Sequence, residues 1–306
     1  MIKLKAKEIT GLISKFSFLK KYKIRPKSIN TLKNPSVHGI HFLFKDTSNY
    51  KLNKKYLVVS KKKRAGFDNI IVHKNPKHLL AEILEYLYKT RKKNNLKKYN
   101  NNIFISRTAK IDENVKIEPN TVINNEVIIK KNSSIGANTT IGSNVKIENN
   151  VNIQSNCSIG TDGFSYSLGN KNILLRHLGG LVIDTDVDIG PQVNISSGQI
   201  EPTIINKNVK IDGQVYIGHN ANIGEGSFLC AKSVIGGSVI LGKCVWVYPN
   251  SLITNKIIIE DKAKIGAGSI VVGNVKFNQT LVSYKAEEIT EYQKKQIFLK
   301  KQISKK

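Results

Sequence analysis

The stretch Ile211-Asp212-Gly213-Gln214-Val215-Tyr216-Ile217-Gly218-His219-Asn220-Ala221-Asn222-Ile223-Gly224-Glu225-Gly226-Ser227-Phe228-Leu229 decides how this chain folds, because an aliphatic residue returns in it every sixth place. The period extends in both directions. Ile105, Ile111, Ile117, Ile123, Ile129, Ile135, Ile141, Ile147, Ile153 and Ile159 form a first run. Ile183, Ile189, Ile195 and Ile205 lead into the quoted stretch, and Ile235, Leu241, Val247, Ile253, Ile259, Ile265 and Val271 continue it. Four places after each aliphatic comes a smaller residue, such as Thr121, Ser133, Val145, Val209, Ala221 or Ser227, so both positions point inward. Gly, Asn and Asp crowd the places between, where a chain turning a corner needs left-handed backbone angles. Six residues are too few for a helical repeat, and neither a 3.6-residue nor a heptad period fits. The unit is one short strand and one corner, and three units close a triangular coil of about eighteen residues. The predicted architecture is mainly β: a left-handed parallel β-helix of hexapeptide repeats, with a small N-terminal α/β domain and a C-terminal helix.

The period sets the domain limits at 1–100, 101–276 and 277–306. Residues before 100 lack it. There, Ile40 to Phe44, Tyr56 to Ser60 and Phe67 to His73 read as strands, and Pro76 to Thr90 as an amphipathic helix carrying Leu79, Leu80, Ile83, Leu84 and Leu87. The polar run Arg91 to Lys98 links this unit to the first coil. After Val271 the pattern ends, and Ala286 to Lys306 reads as a helix with Ile289, Tyr292, Ile297 and Phe298 on one side, placed to cap the open coil. Two interruptions break the repeat, at Gly160 to Leu181 and, by four residues, between Ile195 and Ile205. Interruptions in a solenoid usually map to functional loops. The larger mixes glycine with aromatics, as suits the lining of a cleft.

Composition bounds the function. Cys157, Cys230 and Cys244 form no CxxC pair and no even framework, which argues against disulfides and a zinc site and for a reducing cytoplasm. The N-terminus carries charges where a signal peptide needs an apolar run, and no stretch reaches the length of a membrane span, which leaves at most peripheral contact with the inner membrane. The net charge of +27 suits a nucleic-acid binder or the partner of an acidic protein. However, Lys, Asn and Ile are over-used together, as nucleotide bias in a genome also produces.

A coil wall consists of backbone hydrogen bonds and inward aliphatics, so chemistry has to come from outward and corner positions. Of the histidines His38, His41, His73, His78, His177 and His219, His219 alone lies within the regular repeats, two places after Ile217 at a corner. Asp212, seven residues earlier, is a carboxylate that can orient the imidazole. The two fall on adjoining faces of the triangle, which favours a pair across a subunit boundary. Gly237 lies eighteen residues beyond His219, one coil above and roughly 4.8 Å away by strand spacing. A glycine there leaves its backbone N–H open to a reacting oxygen. The bland alternative is a surface histidine that happens to sit on a corner.

The combination Ile159-Gly160-Thr161-Asp162-Gly163-Phe164, His177-Leu178-Gly179-Gly180, Ile211-Asp212-Gly213-Gln214 and Ile217-Gly218-His219-Asn220 resembles the UDP-3-O-acylglucosamine N-acyltransferases of lipid A synthesis, a family of hexapeptide-repeat acyltransferases. The resemblance implies a cytoplasmic homotrimer with active sites between neighbouring coils. In it His219 is the general base, Asp212 its orienting partner and the N–H of Gly237 the oxyanion donor. It also places Phe42 and Tyr50 on the uracil and Phe164, His177 and Asn220 at the substrates. No metal and no bound cofactor is implied. The co-substrate is a 3-hydroxyacyl chain on the phosphopantetheine of acyl carrier protein, an acidic partner suited to the C-terminal Lys294, Lys295, Lys300 and Lys301, and no nucleic acid takes part. Outward aliphatics such as Val122, Ile128, Ile258 and Ile270 are compatible with subunit packing. The chain departs from the family pattern at Ser196-Ser197-Gly198, at Asp212-Gly213 and at Thr254-Asn255-Lys256. Val245 to Asn250 and Ile265 to Val271 look more like acetyl-coenzyme A-dependent sugar acetyltransferases. The second reading is therefore an N-acetyltransferase of a nucleotide-linked amino sugar for surface glycan synthesis. The third is a basic scaffold without catalysis.

Overall fold

A computed structural model describes residues 1–16, 19, 25–31, 35–36, 38–43, 56–63, 69–91, 95–283 and 288–303, with side chains to 298 in the last segment. From Phe104 to Leu281 the chain winds as a parallel β-helix with three sheets, one per face of the triangle. The register is eighteen residues per coil: Tyr216 pairs with Val234 and Ile217 with Ile235, then Leu252 and Ile253 follow. Each strand N–H reaches the coil above, as in Tyr216 to the Ser233 carbonyl at 3.0 Å and Gly218 to that of Ile235 at 2.8 Å. The period-six aliphatics and the small residues four places later fill one continuous core, with Ile217, Ile223 and Ile235 fully buried and Ala221 nearly so.

The corners explain part of the composition. Three places after most inward aliphatics the backbone is left-handed, with φ near 60° at Asn114, Asn120, Asn132, Asn138, Asn144, Asn150, Asn156, Asn208, Asn220 and Asn250. Asparagine tolerates that conformation better than other residues with a Cβ. Stacked corners also let the amides bond each other, Asn120 Nδ2 to Asn138 Oδ1 at 3.0 Å and Asn138 Nδ2 to Asn156 Oδ1 at 3.3 Å.

The N-terminal unit is a five-stranded sheet of β1 (Ile2–Lys3), β2 (Ser28–Asn30), β3 (Gly39–Phe42), β4 (Leu57–Ser60) and β5 (Asn69–Val72), in that order and parallel except for the β1–β2 pair. Helix α1 (Ala6–Lys15) and helix α2 (Pro76–Arg91) pack on it. Leu79, Leu80, Ile83, Leu84 and Leu87 of α2 are all buried there. The larger interruption of the solenoid makes a hairpin of Tyr166–Ser167 against Ile173–Leu174. Leu175 just beyond it, and Ile200 from the four-residue insertion, join the core of the N-terminal unit. Both insertions thus bind the two cores together beside the corner that holds His219.

Helix α3 (Ile289–Ile303) forms where a C-terminal helix is predicted, but it does not cap the coil. Ile289, Tyr292, Ile297 and Phe298 are each more than half exposed. Among the described residues no helix is long and apolar enough to cross a membrane.

Candidate active site

His219 stands at the corner that follows the strand Tyr216–Ile217, and its orientation is fixed from one side. Asn220 Oδ1 lies 3.1 Å from His219 Nδ1. The amide cannot be turned over: the same oxygen accepts the N–H of Gln199 at 3.2 Å, and Asn220 Nδ2 donates to the Glu201 carbonyl at 2.8 Å. His219 Nδ1 therefore carries the hydrogen in the neutral ring, and Nε2 keeps its lone pair. That nitrogen lies over Gly237, where a Cβ would come within 2.9 Å of it. The glycine leaves room for the ring. Burial pushes the His219 pKa down, the Asn220 hydrogen bond pulls the other way, and the neighbouring His177, Lys256 and Lys77 add to the lowering. The net shift is below the ordinary histidine value, so the free base persists into mildly acidic conditions.

Within the chain Asp212 does not reach His219, in keeping with the expectation of a pair across a subunit boundary: its carboxylate accepts the N–H of Gly213 at 2.7 Å and of Ala231 at 3.2 Å, at its own corner. Within the chain the partner of His219 is Asn220. One expectation needs correction: the N–H of Gly237 is not open, since it donates to Asn255 Oδ1 at 2.7 Å. The bond is a device of the fold: one face further on, Lys243 N–H donates in the same way to Asp261 Oδ1 at 2.8 Å, again across eighteen residues. His219, Gly237 and Asn255 form one column, and the eighteen-residue register alone was enough to reveal its third member.

The larger insertion brings a second imidazole to the site. The His177 ring lies 5.1 Å from that of His219, centroid to centroid. Its backbone N–H donates to Asp162 Oδ1 at 2.9 Å, and Asp162 Oδ2 accepts Arg176 Nη1 at 2.9 Å. Arg176 in turn donates through Nε to Glu85 Oε2 at 2.7 Å and lies 4.0 Å over the Tyr88 ring, both on α2. Burial alone would raise the Asp162 pKa, but the hydrogen bonds from His177 and Arg176 outweigh it and hold the carboxyl below the usual range. Lys77 Nζ, at the start of α2, donates to the Tyr166 carbonyl at 2.8 Å. Arg176, Glu85 and Lys77 left no signal in the repeat, because their meeting depends on how the insertion packs against α2.

Phe164 is 85% exposed at the rim, with Tyr166 edge-on at 5.1 Å. Phe42 is 4% exposed inside the N-terminal core, so its ring presents no face to a base, and Tyr50 lies outside the described residues. On the C-terminal side of His219 the two faces that meet at its corner turn apolar. Outward residues run Tyr216, Val234, Leu252, Ile270 on one face and Ile240, Ile258 on the other. Ile240, Ile258, Ile259 and Phe277 line a depression of about 390 Å³.

Residues 108–143 match the family described as bacterial transferase hexapeptide (six repeats). The UDP-3-O-acylglucosamine N-acyltransferase of Campylobacter lari is 36% identical over 119 residues, which are 38% of this chain and 37% of that protein. The UDP-3-O-acylglucosamine N-acyltransferase 2 of Legionella pneumophila is 32% identical over 149 residues, 48% of this chain and 43% of that protein. The match thus spans less than half the length of these relatives. LpxA from Acinetobacter baumannii superposes with a TM-score of 0.55 at 20% identity, covering 63% of this chain and 75% of that one. LpxA of Bacteroides fragilis, a UDP-N-acetylglucosamine acyltransferase, gives 0.55 at 22%, over 63% and 76%. At such identities the structures speak for the fold alone. The chain is a hexapeptide-repeat solenoid protein, similar in sequence to the UDP-3-O-acylglucosamine N-acyltransferases and alike in fold to LpxA.

Proposed function

We propose that this protein is an N-acyltransferase that moves a 3-hydroxyacyl chain from acyl carrier protein to the 2-amine of UDP-3-O-acylglucosamine in lipid A synthesis. His219 carries this reading: its Nδ1 is pinned by Asn220 and its Nε2 lone pair is left over a glycine, which is the arrangement a general base needs. The amine nitrogen attacks the thioester carbonyl carbon while Nε2 takes its proton. Collapse of the tetrahedral intermediate breaks the C–S bond, and the thiolate leaves with the proton held by His219. The thioester is already activated, so positioning, proton removal and stabilisation of the oxyanion are the tasks left to the protein. The apolar rows above the His219 corner supply a surface for a long acyl chain and favour it over acetyl, as do the names of the relatives. In this reading the N-terminal unit, residues 1–100, holds the nucleotide through residues other than Phe42, and the enzyme works in the cytoplasm as a homotrimer.

The test is product mass. Wild type and His219→Ala are incubated with UDP-3-O-acylglucosamine or a free UDP-amino sugar, and with hydroxyacyl carrier protein or acetyl-coenzyme A. A long-chain amide from wild type alone is the expected result. An acetylated sugar would move the protein to glycan modification, and undiminished turnover by His219→Ala would remove the base.

A further inference from the structure

The four-residue insertion between Ile195 and Ile205 forms a clip with two ends. One end grips the amide beside the base. Gln199 donates its N–H to Asn220 Oδ1 at 3.2 Å, and the Glu201 carbonyl accepts Asn220 Nδ2 at 2.8 Å. At regular corners the asparagine N–H goes to a carbonyl one coil below, as from Asn138 to Pro119 at 3.0 Å and from Asn250 to Ala231 at 3.1 Å. At Asn220 it goes instead to Thr203 Oγ1, at 2.8 Å. The other end of the clip is fixed to the N-terminal unit. Thr31, directly after β2, donates its hydroxyl to Glu201 Oε1 at 3.0 Å, and the Met1 nitrogen lies 2.7 Å from Oε2. The Ile200 side chain is buried in the N-terminal core. Gly179 and Gly198 pack so closely on the Glu201 carbonyl that a Cβ at either would overlap it, although neither has a left-handed φ. The carbonyl is thus held from both sides.

We propose that Glu201 is a positioning residue of the reaction: its carboxylate, anchored on the N-terminal unit through Thr31, holds its own carbonyl against Asn220 Nδ2, and so keeps Asn220 Oδ1 on the Nδ1 hydrogen of His219. The inference rests on the acyl-transfer reading. Asn220 serves His219 as an acceptor in one orientation of its amide only. The reversed orientation would set Oδ1 against the Glu201 carbonyl and Nδ2 against the Gln199 N–H, acceptor on acceptor and donor on donor. When the Glu201 carbonyl shifts away, half of that penalty is gone. The amide then turns over more readily, presents Nδ2 to the ring, and draws the ring hydrogen to Nε2, which in that form cannot take the amine proton. Glu201 acts on the imidazole through Asn220 and needs no contact with the reacting atoms.

The experiment first establishes amide formation by wild type from UDP-3-O-acylglucosamine and hydroxyacyl carrier protein. It then compares Glu201→Ala, which removes the anchored carboxylate, with Glu201→Gln, which keeps an oxygen for Thr31. Losing one hydrogen bond shifts the equilibrium it controls by up to about tenfold. The Ala variant is expected to lose about that factor in kcat with both KM values within about threefold of wild type, and the Gln variant to stay within about threefold in kcat. The acid limb of kcat/KM in the Ala variant should move to lower pH, because the Asn220 bond that raises the His219 pKa is weakened. A long-range ¹H–¹⁵N spectrum, with the His219 ring assigned by its loss in His219→Ala, reads the same event without substrate. The hydrogen is expected on Nδ1 in wild type and in the Gln variant, with a larger share on Nε2 in the Ala variant. If the Ala variant melts early, Thr31→Val breaks the same anchor from its other end and takes its place. An unchanged tautomer and limb in the anchor-free variant, a loss confined to KM, or a Gln variant no better than Ala would each overturn the proposal while leaving the acyl-transfer reading intact. Wild type that forms no amide sinks both.

Discussion

The tautomer of His219 is set one residue away, by an amide that the fold has already committed. Because Asn220 Oδ1 also accepts from Gln199 and its Nδ2 donates to Glu201, the carboxamide cannot rotate to offer a proton, and Nε2 stays the basic atom. Replacing this neutral acceptor with a carboxylate changes the equilibrium in a known direction. Asn220→Asp stabilises the imidazolium, so the acid limb of the kcat/KM profile moves to higher pH. In wild type that limb is expected below the ordinary histidine value, because burial and the neighbouring cations lower the His219 pKa. A profile from pH 5 to 9 on both proteins measures the shift, and an unmoved limb would mean that His219 is not the base. Gly237 gives a steric counterpart. Its φ is not left-handed, so alanine suits the backbone, yet the new methyl would meet His219 Nε2 at 2.9 Å. Gly237→Ala should lower kcat by on the order of 10²-fold, as misplacing a catalytic group by about 1 Å does. Its melting temperature should stay within a few degrees of wild type, which differential scanning fluorimetry checks.

Between elements, Glu8 of α1 is a buried charge of the N-terminal unit, 2% exposed and doubly bonded by Arg91 at the end of α2, at 2.8 and 2.9 Å. Burial alone would raise its pKa, but the Arg91 bonds and the Lys5 N–H overcome this and lower it. Its contribution to stability is therefore fully present above the ordinary glutamate value and is lost as pH falls through the lower, folded one. Glu8→Gln leaves Arg91 uncompensated and should cost on the order of 3 kcal/mol at pH 7. Urea unfolding at pH 7 and pH 4 is expected to show a smaller gap between wild type and variant at the lower pH. The same pair shows where sequence reading stops. The solenoid was legible because every coil repeats one local rule, aliphatic at one place and small residue four later, and the register fixes which residues stack. Helix α1 is legible too, in Ile9, Leu12, Ile13 and Phe16 at helical spacing. The partnership of Glu8 with Arg91, and of Arg176 with Glu85, had no local rule behind it. Phe42 was misplaced because an aromatic beside a strand reads equally well as core or as a stacking surface.

For the whole molecule the question is whether a net charge of +27 does anything. Composition alone put Lys, Asn and Ile down to one bias, but the structure separates them. Isoleucine fills the coil interior, and asparagine takes most of the left-handed corners, leaving lysine as the excess that takes no part in the solenoid core. Several lysines even occupy corners that asparagine would suit better, among them Lys232, Lys256 and Lys262. If this excess attracts an acidic carrier protein, its effect is long-ranged and screened by salt over about 10 Å at 0.1 M. The KM for hydroxyacyl carrier protein should then rise about tenfold between 50 and 300 mM NaCl while kcat holds, since rim charges govern encounter rather than chemistry. An acyl-pantetheine donor, which carries no charge, is the control. Its KM should stay within about twofold over the same range, because contact between apolar surfaces does not respond to screening. Parallel slopes for the two donors would return the lysines to genome bias, whereas a slope for the carrier alone gives the charge a partner.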